Sequence, residues 1–122
     1  MPDIWRVYRI KKCHYTSPPK PKFIVLVCKD EKYMGFLINS GISPFISSKP
    51  YMLACQVTLT KAEYHFLFHK SYLDCAQLYP FRQSELVVGL EMISDKTKAE
   101  IKEAVSKAKT ITGYQKRLIL NC

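Results

Sequence analysis

The sequence predicts a mainly β domain, a small barrel of short strands with a C-terminal α-helix. Three observations carry that expectation. The first 92 residues break into short apolar runs separated by turn residues, the pattern of successive strands. The one segment with sustained helical periodicity lies at about residues 94–109. A chain of 122 residues, 48% hydrophobic and 24% charged, has the size and composition of a single globular domain spanning 1–122. No repeat, low-complexity tract or linker divides it.

The elements follow in order. Residues 5–10, Trp5-Arg6-Val7-Tyr8-Arg9-Ile10, mix apolar and basic side chains as a strand with one wet face does. Residues 15–22 hold Pro18, Pro19 and Pro21, which fix φ and remove amide donors, so a stiff exposed loop is expected. Residues 23–29 are continuous and β-branched, as in a strand buried on both faces. A polar turn at 29–32 leads into a returning strand at 33–39, with Gly35 expected at a bulge. Residues 40–50 read as a long loop and 52–58 as a further strand. Thr60-Lys61-Ala62-Glu63 has the form of a capping box and predicts a short helical turn. Residues 72–74 and 77–79 read as short strands, and 84–90 carries no clear signal.

In the C-terminal helix Ser94 serves as cap and Asp95 suits the first turn. Ile101, Ala104, Val105 and Ala108 form one apolar stripe. Gly113 then interrupts the pattern, and Leu118-Ile119-Leu120 is expected to pack back as a short end element.

Lysine and arginine total 19 against 10 acids, a net charge of +9, which favours polyanionic partners. The surplus is uneven. Residues 1–60 hold nine basic and three acidic side chains, and residues 61–122 hold ten and seven. The densest block contains Arg6, Arg9, Lys11, Lys12, Lys20 and Lys22 without an acid, interleaved with Tyr8, His14 and Tyr15. The lysines of the C-terminal helix are interspersed with acids and read as a solvated face.

No apolar run approaches the roughly 20 residues that span a bilayer, and the first residues carry no signal-peptide core. No membrane association and a cytoplasmic location are therefore expected. The five cysteines are odd in number and scattered, with no C-x-x-C pair. Cys28 and Cys55 read as buried, reduced core residues. The spacing of His65 and His69 would put both on one face of a helix, but the intervening residues are aromatic and the H-E-x-x-H pattern is missing. Two histidines in an aromatic turn are expected, with no metal site. No G-x-x-x-x-G-K-[ST], G-x-G-x-x-G or G-x-S-x-G motif occurs, and no cofactor is expected. Phosphodiester chemistry without a metal needs a group to take the ribose 2′-OH proton, cations at the phosphate and a donor to the leaving oxygen. Lysine, histidine, serine and tyrosine can fill those roles.

Four segments in order resemble the PemK/MazF-like toxin family, over most of the chain. Lys20-Pro21-Lys22 followed by 23–27 is similar to the family's Arg-Pro and apolar strand. Gly35-Phe36-Leu37-Ile38-Asn39-Ser40 is similar to its next strand, ending in Thr or Ser. Residues 71–78 are similar to the late strand ending in Asp-Gln or Ser-Gln, and 93–108 to the closing helix. The resemblance implies an SH3-like β-barrel, a homodimer, that cleaves single-stranded RNA without metal and is neutralised by an acidic antitoxin protein.

Carried over, Lys20 stands at the catalytic arginine and Ser40 at the Thr/Ser position. His14, in the basic block, is the candidate proton shuttle, since imidazoles titrate near neutrality as a class. Arg9, Lys11, Lys12 and Lys22 are the candidate RNA-binding cations, with Tyr15 for base stacking. Lys20 keeps the charge of the arginine without its bidentate fork. Asp74 and Ala76 stand where some members of the family carry Arg and Asp. These departures favour the alternative, a catalytically inactive SH3-like module binding RNA or an acidic protein partner.

Overall fold

Seven strands and four helices succeed one another in the computed structural model, which describes residues 1–122. In chain order they are β1 (Arg6–Cys13), β2 (Lys20–Lys29), β3 (Tyr33–Asn39), α1 (Pro44–Ser47), α2 (Pro50–Leu53), β4 (Gln56–Leu59), β5 (Ser71–Asp74), β6 (Tyr79–Phe81), β7 (Gly89–Met92), α3 (Asp95–Lys107) and α4 (Gly113–Leu120). The strands pair antiparallel in the order β4-β5-β3-β2-β1-β7, with β6 also on the β3 edge. The sheet curls into a half-barrel, and the two longer helices follow at the C-terminus. The domain is thus mixed α/β, with more helix than the single closing element expected. No helix is long and apolar enough to cross a membrane.

Strand β2 is buried on both faces from Ile24 to Cys28, as its continuous apolar run predicts. Ile24 and Leu26 pack with Tyr8, Ile10, Leu37 and Phe81 on one face of the sheet. Val25, Val27 and Cys28 pack on the other side with Phe36, Leu73 and the helix stripe Ile101, Ala104, Val105 and Ala108. Burial pushes the Cys28 thiol up to about 12 and raises those of Cys55 and Cys75 as well, which suppresses their thiolates. Four cysteines are buried, Cys122 is exposed, and all five are unpaired.

Several boundaries differ from expectation for identifiable reasons. Trp5 lies outside β1 because its φ of 70° is left-handed, which no strand residue adopts. Its amide donates to the Leu26 carbonyl (2.6 Å) and its carbonyl accepts from Ile93 (2.7 Å), so the surroundings hold this strained residue in place. Lys20-Pro21-Lys22 belongs to β2, not to the proline loop. Pro21 falls opposite the register shift between Ile10 and Cys13, where its missing donor interrupts no regular ladder.

The bulged residue opposite Gly35 is Val27, not Gly35 itself, because the β2–β3 register shifts between Leu26 and Cys28. Gly35 is needed there for close approach. A Cβ at this position would lie 2.7 Å from the Val25 carbonyl oxygen.

The segment 40–50 is not a plain loop. Pro44 and Pro50 sit at helix starts, where a missing N–H matters little, and Ser43 caps α1 through Ile46 N (3.2 Å). Helix α2 takes Met52 and Leu53 out of the expected strand and buries Met52 in the core. Ser94 caps α3 as predicted, accepting from Thr97 N (3.2 Å). Gly113 begins α4 instead of ending structure, since Thr112 and Gln115 form a capping box just before and within it. Ile119 of that helix is fully buried.

Candidate nucleic-acid site

Strand register explains how distant residues converge. Arg9 of β1 pairs with Phe23 of β2, Phe23 with Ile38 of β3, and Ile38 with Leu73 of β5. One row across the sheet therefore brings together the start of β2, the end of β3 and the start of β5. Arg9, Lys20, Lys22, Ser40 and Ser71 flank this row and line an open cleft of about 360 Å³. Leu67, Phe68 and His69 form the facing wall.

Lys22 is the half-buried cation of the cleft. Its Nζ donates to the Ile38 carbonyl (3.0 Å) and to Asn39 Oδ1. Burial, then the neighbouring Lys20 charge, holds the Lys22 ammonium below the ordinary lysine range. Two lysines two residues apart on one strand project to the same face, so their potentials add. Neither is in an ion pair with an acid, since the molecule's ion pairs lie at Arg6–Asp3, Lys98–Asp95 and Lys107–Glu103. A phosphate in the cleft would relieve the Lys20–Lys22 repulsion.

The facing wall belongs to segment 60–70, which is a series of turns without a regular helix. Thr60 accepts from Glu63 N (3.3 Å), and Tyr64 N donates to the Thr60 carbonyl (3.0 Å), giving the single capped turn its sequence predicts. Tyr64 then anchors the segment. Its buried hydroxyl donates to Thr97 Oγ1 (2.7 Å) and accepts from Ser94 N (3.2 Å). Phe66 packs edge-on to Phe23 at 4.9 Å, and Leu67 is buried in the core. With these neighbours turned inward, Phe68 and His69 are left exposed on the cleft side. Because the segment is not helical, His65 and His69 share no helix face. His65 lies elsewhere, with its amide donating to Glu91 Oε1 (2.9 Å).

The eight residues singled out in the sequence divide between places. Arg9, Lys20, Lys22 and Ser40 share the cleft. His14 and Tyr15 line a second cleft of about 670 Å³ with Lys29, Lys32, Arg82 and Glu85, and the two clefts have no lining residue in common. Lys11 and Lys12 are exposed on β1 at the register shift and line neither cleft. Tyr15 is stacked on Tyr79 (4.3 Å between centroids), and its hydroxyl donates to the Pro80 carbonyl (2.5 Å). His69 and Phe68 join the site without having been assigned to it from sequence.

Asp74 is outside the basic cleft. It is buried, and its Oδ1 accepts from Gln56 Nε2 (2.9 Å) and Ala76 N (3.0 Å). Its carboxylate braces the β4–β5 pair and the following turn, and it is not among the groups lining the cleft. A scan of protein-family models finds no match to the chain, and a search of curated proteins finds none either.

Proposed function

We propose that the chain is a PemK/MazF-like endoribonuclease that cleaves single-stranded RNA without a metal ion, on an SH3-like elaboration of the half-barrel. The observation that carries this is the shared cleft of Arg9, Lys20, Lys22 and Ser40, with His69 on its wall. Cations there neutralise the scissile phosphate and its neighbours, and Ser40 hydrogen-bonds a phosphate oxygen. His69 takes the proton from the 2′-OH as that oxygen attacks phosphorus. The bond to the 5′ oxygen breaks, and the departing oxygen receives a proton from a donor in the cleft or from water. The products carry a 2′,3′-cyclic phosphate and a 5′-hydroxyl. In this reading the molecule acts as a homodimer in the cytoplasm, and an acidic antitoxin competes with RNA for the same cations.

The replacement of arginine by Lys20 favours the second reading, a module that binds RNA or an acidic protein without cutting. One experiment separates them. Purified protein incubated with mixed single-stranded RNA in excess EDTA is expected to release fragments with cyclic-phosphate ends. Three cations on three phosphates give a salt slope near −2, so affinity should fall about twentyfold between 50 and 200 mM salt. Intact RNA at high protein concentration would remove the cleavage claim. If binding with that salt response persisted, the module reading would stand. A flat salt response would contradict both RNA readings.

A further inference from the structure

We infer that Phe68 is a nucleobase platform, so that the cleft selects an unpaired base as well as a phosphate chain; this rests on the RNA reading of the cleft. Phe68 is 86% exposed, the most exposed aromatic side chain in the molecule, yet residues just before it are anchored in the core. Leu67 beside it is 4% exposed, and Tyr64 and Phe66 tie the same segment to α3 and β2. Phe68 therefore does not contribute to the core, and it follows directly on residues that do. It lines the same cleft as Lys20, Lys22 and Arg9. An aromatic face next to a cationic track is the arrangement that holds single strands, since a splayed base stacks while its phosphate meets the cations. Tyr15 is differently placed: Tyr79 is already stacked on it, in the other cleft.

The chemistry gives a discriminating test with two probes. One is a 2′-O-methyl single-stranded oligonucleotide, which binds but lacks the nucleophile. The other is inorganic polyphosphate, which has charge and no base. Phe68→Ala is expected to weaken oligonucleotide binding about tenfold, from the loss of one stacked base. Polyphosphate affinity and the salt slope should be unchanged, because no charge is removed. Phe68→Trp should restore or exceed wild-type affinity for the oligonucleotide. Equal oligonucleotide affinity in wild type and Phe68→Ala would overturn the platform alone, as would a matching loss toward polyphosphate. A wild-type protein that binds neither probe would overturn the RNA reading and the platform with it.

Discussion

Lys20→Ala is expected to lower the rate of RNA cleavage by about 10²–10³-fold, the usual cost of removing one preorganised group that meets developing charge. Lys20 is exposed at the start of β2, and its backbone role in the strand survives the substitution, so the folded structure should be retained. The loss should appear in kcat and kcat/KM together if the contact strengthens in the transition state. Binding should weaken as well, and the salt slope should shrink by about 0.7, the share of one cation on a single strand. Lys20→Arg provides the complementary test. A guanidinium can grip two phosphate oxygens at once, so this variant should match or exceed the wild type. Equal cleavage by Lys20→Ala and the wild type would remove Lys20 from the reaction.

His69→Ala is expected to have the other large effect, about 10²–10⁴-fold on cleavage, the range for loss of a general acid–base group. His69 is exposed, so thermal stability should be unaffected. The variant should retain RNA affinity while losing cleavage. His14→Ala should leave cleavage unchanged, because His14 lines the second cleft with Tyr15 and Arg82. Measuring both variants across pH with one labelled RNA checks this assignment. If His14→Ala were inactive and His69→Ala fully active, proton transfer would belong to the second cleft.

Much of the sheet is legible in the sequence because burial on both faces leaves a plain mark. The apolar run from Phe23 to Cys28 forms a core strand as its β-branched residues predict, and Ile101, Ala104 and Val105 form the buried side of α3. Several of the misjudged places are those where Pro and Gly have two uses. Pro44 and Pro50 start helices, and Gly113 follows a capping threonine into α4. Propensity alone does not separate a breaker from an initiator; the position of the cap does.

The candidate site was half legible for a related reason. Lys20, Lys22 and Ser40 lie at the ends of consecutive strands, so a hairpin reading brings them near one another. His69 reaches them only through the β3–β5 pairing of Ile38 with Leu73 and Asn39 with Tyr72. That contact joins segments more than 30 residues apart, and local periodicity carries no information about it. The aromatic turn expected around His65 and His69 is what forms, with Tyr64 and Leu67 anchoring the segment. His14 and Tyr15 are close in sequence to the basic block, but the hairpin that follows β1 carries them to another cleft.

The central claim is that the cleft at the β1–β2–β3–β5 row is where the molecule holds RNA. Backbone amide shifts of the isotope-labelled protein, titrated with 2′-O-methyl single-stranded RNA, test it most directly. Perturbations clustered at residues 20–23, 38–40 and 67–71 are the expected result. Perturbations confined to 29–33 and 80–85, or none at saturating RNA, would contradict it.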